Sequence, residues 1–527
     1  MNPKLNRRRL LATFGSAAIA RGLDGVARPY VSRAADRPVI THGIQSGDVS
    51  ADSAMVWARA DRASRMQVEF ATTDSFRNIL GGSVVDATPD GDFTAKSRLG
   101  GLPSGQDIFY RIRFADLSSP TILGEPAVGR FRTAPADRRS LSFVWSGDTA
   151  GQGWGIDAAR GGMRMYATMR KNRPDFFIHS GDTIYADVPI PAEIKLPDGT
   201  LWKNLVTEEK SKPAETLAEF RGNFKYNLLD RNVVAFNAEI PIFAQWDDHD
   251  VTNNWWPGED LTGAKHRRLR YRERNTLGLA ARASRAFHEY MPIRPLPESG
   301  RVYRKIEYGP LLDIFMLDMR SYRGPNGEGR EETYGPAAYF LGPEQVAWLK
   351  RELKESRAVW KLIAADQPLG VIVYEDYIRK WGAEAIAQGI DGPPRGREIE
   401  IADLLTFIKR AGVRNTVWLT ADVHYTAAHY YDPNKAVFQD FDPFWEFVSG
   451  PIHAGCFPQS ELDNTFGPQL MYAKGPSKEQ GVNLSPATEF QFFGHVAIEG
   501  STGVMAVRLK DIEDHTLWST KIEPQLA

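Results

Sequence analysis

Four short motifs combine acidic residues with tyrosine or histidine, and each follows an apolar segment. They are Gly147-Asp148, Gly181-Asp182 with Tyr185, Asp248 with His249, and Asp422 with His424. Carboxylate, phenolate and imidazole groups are metal ligands, and carboxylates that converge repel one another unless cations neutralise them. The motifs therefore predict a metal centre.

Each motif also has a structural explanation. A Gly-Asp pair such as Gly147-Asp148 often caps a helix N-terminus, and Tyr185 can pack over the edge of a sheet. The acidic loop around Asp248 can pair with nearby Arg or Lys, and His424 can be a buried, hydrogen-bonded side chain. Four motifs at four strand ends favour one metal centre over four separate structural roles.

The segment Asp247-Asp248-His249-Asp250 places three acids around one histidine. Three carboxylates cannot share one pocket, so at least one must face outward or be paired. His249 is the predicted catalytic residue of this segment, since an imidazole can donate a proton or stabilise negative charge.

Apolar segments with strand character position these motifs. They cover residues 141–145, 175–179, 241–246, 311–318 and 417–420, with a helical stretch at about 162–171. Strand, helix and strand at this spacing predict a parallel sheet. Ligands bind beyond the carboxyl ends of such strands, which is where the motifs lie.

Two other regions have a distinct character. Residues 38–134 show the alternation and turn clusters of short strands, which predict a small β-sandwich with a scaffold role. Strands are expected at 54–59, 66–70 and 107–114. Residues 432–489 are rich in aromatics, Pro and Gly, and we interpret them as long loops near the mouth of the site.

The N-terminus resembles an export signal. Arg7-Arg8-Arg9 precede a modest apolar stretch at residues 10–20 that is too short to span a bilayer. Consecutive arginines in this position are typical of the twin-arginine route, so residues 1–35 are expected to be a signal peptide and the protein periplasmic or secreted. The alternative is an ordinary cationic, amphipathic N-terminus. No transmembrane segment is expected in the mature chain.

Composition excludes several classes of function. The 527 residues carry a formal net charge of −1, so nothing indicates a surface for nucleic acid or anionic membranes. The single cysteine, Cys456, excludes an intrachain disulfide and makes an iron–sulfur cluster implausible. Cys456 is expected to be a small buried or loop residue, and for His429 and His453 structural roles are favoured over metal binding.

Taken in order, the four motifs resemble those of calcineurin-like metallophosphoesterases, and Tyr185 resembles the tyrosine of purple acid phosphatases. The chain is most similar to the PhoD-like alkaline phosphatase family. The segments that carry this resemblance are residues 41–48, 54–59, 246–254 and 317–323. The resemblance covers nearly the whole chain.

The resemblance implies an α/β metallophosphoesterase core of two packed sheets flanked by helices at residues 138–527, preceded by an all-β sandwich at 36–134. It implies iron and calcium, with other divalent metals as alternatives, and His249 beside the substrate. The implied metal ligands are Asp182, Tyr185, Asp248, Asp422 and His424. Asn254 and Arg320 are candidate substrate contacts, although a structural salt bridge explains Arg320 equally well.

The chain departs from these relatives at two positions. Characterised relatives have a cysteine near the first motif, whereas this chain has Gly147-Asp148, which makes Asp148 a candidate metal ligand. Residues 362–368 also lack the histidine that the wider superfamily has before the last motif. A site richer in oxygen than in imidazole favours hard cations, including calcium.

The sequence thus predicts an exported phosphoesterase that hydrolyses phosphate monoesters, diesters or both through attack by a metal-bound hydroxide. One alternative is a phospholipase D-like phosphodiesterase. A second, from another class, is an exported binding protein that keeps metals without catalysis. The expected partners are phosphate esters and the twin-arginine export machinery.

Overall fold

Strands form most of the framework. The computed structural model describes residues 37–525 except 264–265, 267–268 and 297–299. The predicted signal peptide lies outside these residues. Within them, no helix has the length and apolar character needed to cross a membrane.

Seven strands occupy the N-terminal region. They are β1 (Ile40–Gly47), β2 (Ser53–Ala60), β3 (Ser64–Ala71), β4 (Gly81–Ala87), β5 (Thr94–Gly100), β6 (Asp107–Asp116) and β7 (Ala127–Arg132). The three predicted strand segments fall in β2, β3 and β6. Four strands form one sheet in the order β4-β3-β6-β7, while β1, β2 and β5 belong to another.

The remaining strands build the core. They are β8 (Leu141–Ser146), β9 (Phe176–Ser180), β10 (Glu193–Lys195), β11 (Leu201–Lys203), β12 (Ile242–Gln245), β13 (Arg304–Glu307), β14 (Leu312–Met316), β15 (Trp360–Ala364), β16 (Tyr374–Asp376), β17 (Trp381–Ala383), β18 (Thr416–Thr420), β19 (Thr426–Tyr431), β20 (Phe444–Val448), β21 (Pro468–Lys474), β22 (Phe492–Ile498), β23 (Met505–Asp511) and β24 (Thr516–Ile522). All five predicted core strands are present. The prediction of loops alone at residues 432–489 was wrong, because β20 and β21 lie there.

Two large sheets face one another. One has nine strands in the order β24-β23-β22-β8-β9-β12-β1-β2-β5, and the other has seven in the order β13-β14-β15-β18-β20-β19-β21. The pairs β8–β9, β9–β12, β14–β15 and β15–β18 are parallel. Phe143 and Phe176 of the first sheet share one apolar cluster with Leu362 and Leu419 of the second. Each fully buried side chain of this size contributes about 1.5–3 kcal/mol.

Helices cover the outer faces of both sheets. They are α1 (Arg164–Lys171), α2 (Leu217–Asn227), α3 (Arg231–Asn237), α4 (Thr276–Tyr290), α5 (Pro343–Glu355) and α6 (Glu398–Arg410). Residues of α1 to α4 pack with Phe177 and Ala244 of the nine-stranded sheet, and residues of α5 and α6 pack with Ile363 and Trp418 of the other. Strands covered on both faces are rich in apolar residues. All five residues of β9 are buried, and the first three are apolar. The expected core of two sheets flanked by helices is confirmed.

The N-terminal strands are joined to the core sheet. Strand β1 lies parallel to β12, with Gly47 opposite Ile242. A Cβ at Gly47 would lie 2.5 Å from the Ile242 carbonyl oxygen, so this contact requires glycine. The Asp48 carboxylate beside it accepts a 2.8 Å hydrogen bond from Arg304 of the core. Three of the seven strands of the expected sandwich therefore extend the core sheet.

Candidate metal centre

Strand ends from both sheets bring the four motifs together. Adjacent strands β8, β9 and β12 end just before Asp148, Asp182 and Asp247, and β18 of the facing sheet ends just before Asp422. Three overlapping groups of potential ligand residues result. Within each group, the ligand atoms all lie within 4.8 Å of one another. The groups are Asp148, Asp182 and His424; Asp182, Asp248 and His249; and Asp247, Asp248 and Asp422.

The backbone at these strand ends is strained. Positive φ angles occur at Asp148 (69°), Asp182 (49°), Asp422 (62°) and His424 (59°). Non-glycine residues in this region cost about 1–3 kcal/mol each and cluster at functional sites. Gly181 also has a positive φ of 93°, and a Cβ there would lie 2.5 Å from the Asp247 Cβ. The strand ends after β9 and β12 thus approach too closely for a side chain at position 181.

The first ligand group surrounds His424. Its Nδ1 donates a hydrogen bond to the Gly455 carbonyl, so Nε2 is the nitrogen left to bind a metal. Nε2 lies 2.8 Å from the Tyr185 hydroxyl and 3.5 Å from Asp148 Oδ1. Burial lowers the pKa of His424 to about 4, which keeps the imidazole neutral as a ligand must be. Asp148, Asp182, Tyr185 and His424 can therefore share one ion.

His249 lies on the other side of Tyr185. The two rings stack with centroids 4.3 Å apart. His249 Nδ1 is 2.7 Å from Asp187 Oδ1, and Asp187 Oδ2 accepts a 2.9 Å hydrogen bond from the Asn253 N–H. Burial alone would lower the pKa of His249, but the Asp187 and Asp248 carboxylates outweigh it and raise the pKa to about 9. Asp187 thus fixes the ring and favours its protonated form.

The backbone around His249 also organises the metal ligands. Its N–H donates to Asp182 Oδ1 at 3.0 Å and to Asp248 Oδ1 at 2.8 Å. The Asn254 N–H donates to Asp248 Oδ2 at 2.6 Å. Asp250 accepts hydrogen bonds from the backbone N–H groups of Ile184 and Asp247. Asp250 therefore holds the loop, while Asp248 faces the other ligands.

Arg320 is enclosed behind the third ligand group. It is fully buried, its Nε lies 2.5 Å from Asp247 Oδ1, and its Nη1 pairs with Glu384. Its Nη2 lies 4.0 Å from Asp248 Oδ1 and 3.9 Å from Asp422 Oδ1. Arg320 is absent from the described cavity lining. This geometry favours a structural salt bridge for Arg320 over contact with substrate. Arg320 is also the paired cation expected for one acid of the 247–250 motif, namely Asp247.

The electrostatics of the cluster fit a metal cofactor. Burial, reinforced by neighbouring carboxylates, raises the pKa of Asp148, Asp182 and Asp422 well above the usual range. Asp148 Oδ2 is buried without a hydrogen-bond partner among the described residues. Cations bound here would neutralise the repulsion and occupy the free lone pairs.

A cavity of about 580 Å³ opens beside the ligands. Of the predicted site residues, it is lined by Asp182, Asp248, His249, Asn254, Asp422 and His424. Asn254 therefore lies at this cavity, and its side-chain amide donates a hydrogen bond to Glu375 Oε2 at 3.3 Å.

The other histidines and the cysteine have structural partners. His429 Nδ1 lies 2.8 Å from Glu446 Oε2, and His453 Nε2 lies 2.9 Å from the Gly155 carbonyl oxygen. The Cys456 thiol is buried and donates to the Phe490 carbonyl. These contacts support the roles that the sequence analysis favoured.

Sequence reasoning missed two contributors. Asp187 lies five residues after Asp182 in the same loop, so its position was a usable signal. The sequence around Glu384 contained no such signal, because Glu384 forms ion pairs with Arg320 and Arg323, which lie about 60 residues away along the chain.

Comparison with known proteins decides the family. The model of the PhoD-like phosphatases matches residues 143–509, and that of their N-terminal domain matches residues 25–135. The chain belongs to the PhoD-like phosphatase family. The resemblance drawn from the motifs is thus confirmed.

Relatives of this PhoD-like chain include alkaline phosphatase D of Bacillus subtilis (strain 168), which is 27% identical over 411 residues. The match covers 73% of this chain and 64% of that protein's length. A solved PhoD structure has a TM-score of 0.66 at 20% identity and covers 92% of this chain and 89% of its own. A purple acid phosphatase from yellow lupin (Lupinus luteus) seeds has a TM-score of 0.59 at 12% identity. This match covers 92% of this chain and 74% of the lupin chain. These structures show a shared fold.

Proposed function

We propose that this chain is an exported, metal-dependent phosphoesterase. The observation that carries the proposal is the set of three overlapping ligand groups, buried at converging strand ends and open to a cavity beside His249. A purely structural metal site is usually closed. The alternative of a metal-containing protein without catalysis does not account for the cavity.

Two kinds of metal position are proposed. Asp148, Tyr185 and His424 combine a carboxylate, a phenol and an imidazole, a set suited to iron. Asp248 and Asp422 offer only oxygen, as calcium prefers. Metal ions in these positions would activate water for attack at phosphorus, as the predicted hydroxide mechanism requires, and would neutralise the phosphoryl oxygens.

His249 belongs to one group of potential metal ligands, but we propose it as the proton donor to the leaving oxygen, because a protonated imidazole cannot bind a metal. Its Nδ1 is committed to Asp187, which leaves Nε2 as the ring nitrogen for the substrate. The residue lines the cavity next to Asp182 and Asp248. A positioned acid of this kind contributes about 10²–10⁴-fold to the rate, most for poor leaving groups.

The charge of the cavity favours diesters. Apart from protonated His249, the cationic side chains among its described lining residues are Lys380 and Lys478, and Lys380 lies 3.2 Å from Glu461. A phosphate monoester carries one more negative charge than a diester and gains more from fixed cations. We therefore propose that the phosphodiesterase activity exceeds the monoesterase activity.

Hydrolysis of p-nitrophenyl phosphate and bis-p-nitrophenyl phosphate by the purified protein tests these proposals. We expect faster turnover of the diester, loss of both activities with a chelator, and recovery on adding back iron and calcium. Elemental analysis of the same sample reports metal content. A fully metallated protein that turns over neither ester would favour the binding-protein alternative.

Export by the twin-arginine route is proposed from Arg7-Arg8-Arg9 and the apolar residues that follow. A reporter fused to residues 1–40 should reach the periplasm, and replacing Arg7, Arg8 and Arg9 together by lysine should retain it inside the cell. Equal export of both fusions would contradict the route.

A further inference from the structure

One wall of the cavity beside the metal centre is apolar. Its side chains come from three separate segments of the chain. They are Ile372, Val373, Tyr374, Val423 and Phe457. Ile372, Val373 and Tyr374 precede or begin the short β16–β17 hairpin, and Val423 lies between Asp422 and His424. Apolar surface thus begins directly at two predicted metal ligands.

Exposed apolar side chains lie on the same hairpin and on a second segment that lines the cavity. Tyr377, Ile378 and Trp381 of the hairpin are 59%, 97% and 45% exposed, and Val482 of a second cavity-lining loop is 66% exposed. Tyr377 and Val482 also line the cavity. We call these four residues the apolar rim. Exposed large apolar side chains are normally scattered, and a group at the mouth of a cavity marks a binding surface.

Hydrogen bonds fix the hairpin to the metal centre. Glu375 Oε2 accepts from the side-chain amides of Asn254 at 3.3 Å and Asn326 at 2.8 Å. The Asn254 N–H in turn donates to the ligand Asp248. Tyr374 and Tyr377 pack edge to face with centroids 5.8 Å apart. The apolar wall is therefore held at a set position relative to the site of reaction.

Charge does not explain what this surface binds. Lys380 lies 3.2 Å from Glu461 and Arg379 lies 3.7 Å from Asp376, so the basic residues of the hairpin have acidic neighbours. The electrostatic attraction that would draw a polyanion is therefore weak here. Burial of apolar groups is the interaction that this surface offers.

We propose that the cavity and the apolar rim bind a long apolar ester group, so that the substrates are amphiphilic phosphodiesters. This inference rests on the proposed phosphodiesterase function. The phosphate would lie at the ligand groups, and the apolar ester group would run along Val423, Phe457 and Tyr374 toward Tyr377. A volume of about 580 Å³ is in the range of pockets that enclose such groups.

A series of alkyl p-nitrophenyl phosphates tests the proposal, because the chain grows while the leaving group stays the same. We expect kcat/KM to rise from the methyl to the octyl ester by about threefold to fourfold for each CH₂ group that becomes fully buried. Substrate concentrations are kept below those at which the esters aggregate, so that single molecules are measured.

Variants test whether the apolar rim causes the rise in kcat/KM with chain length. Tyr377→Ser and Ile378→Asp should each lower the octyl-to-methyl ratio of kcat/KM. Ile378 is nearly fully exposed, so its substitution should leave folding intact. Leu277→Asp is the matched control, because Leu277 is 56% exposed on α4 and does not line the cavity. It should leave the ratio unchanged.

Two results would overturn the inference. One is turnover of the methyl ester with no rise along the series, and the other is an equal drop in the ratio for Leu277→Asp and Ile378→Asp. Failure of the metal-loaded protein to hydrolyse any ester would instead contradict the proposed function.

Discussion

Replacing Asp187 by asparagine should uncouple His249 from catalysis without disturbing the metals. Asp187 accepts two hydrogen bonds, one from His249 Nδ1 at 2.7 Å and one from the Asn253 N–H at 2.9 Å. An asparagine has a single acceptor oxygen in its side chain. Either His249 Nδ1 or the Asn253 N–H must therefore face the NH₂ group of the asparagine. Both arrangements weaken the hydrogen bonding that positions the His249 ring.

The size of the effect follows from the bond that is lost. A hydrogen bond to a charged group contributes about 1.5–3 kcal/mol, which corresponds to about a 10- to 150-fold loss in kcat. The loss should be small for p-nitrophenolate, which leaves readily, and large for an alkoxide, which needs a proton. KM and metal content should change little, because Asp187 is not in the groups of potential metal ligands.

The assay compares Asp187→Asn with wild type on a p-nitrophenyl and an alkyl diester, with elemental analysis of each preparation. Asp198→Asn is the control, since Asp198 is an exposed acid that bonds Thr200 in a surface turn. His249→Ala combined with Asp187→Asn should be no slower than His249→Ala alone. Equal losses on both esters, or loss of metal, would refute the positioning role.

Three further predictions concern the framework of the site. Tyr185→Phe should lower iron content more than calcium content, which elemental analysis checks; equal loss of both would contradict separate metal positions. Gly181→Ala should lower metal loading and the denaturation midpoint, because its φ of 93° disfavours a side chain and its Cβ would meet Asp247; a wild-type midpoint would contradict this. Arg320→Met should cost about 3–5 kcal/mol in urea unfolding, because it leaves buried Asp247 without its cationic partner and Glu384 with Arg323 alone, and a loss of activity without loss of stability would instead indicate substrate contact.

Local sequence patterns were enough to predict the parts of the site whose residues lie in short continuous segments. The Gly-Asp pairs follow apolar runs that become β8 and β9, and parallel strands bring their carboxyl ends to one edge. The sequence alone therefore places Asp148 and Asp182 together. The same reasoning does not reach Asp422, because it follows β18 of the facing sheet and only the packing of the two sheets brings it to the other ligands.

Long-range contacts could not be predicted from one sequence. The Arg320 ion pair with Glu384 spans 64 residues, and nothing in either local sequence selects that partner. The pairing of β1 with β12 rests on one close approach at Gly47, which a local pattern does not reveal. Burial of Arg320 likewise depends on elements packed around it, so the sequence left its substrate and structural roles open.

The most direct test of the central claim measures diester hydrolysis and metal content together in wild type and Asp182→Ala. Asp182 belongs to two of the three ligand groups, so its loss should disrupt both. Metal-dependent catalysis at this cluster predicts chelator-sensitive turnover in wild type, and loss of both bound metal and turnover in the variant. Undiminished turnover by metal-depleted Asp182→Ala, or none by metal-loaded wild type, would contradict it.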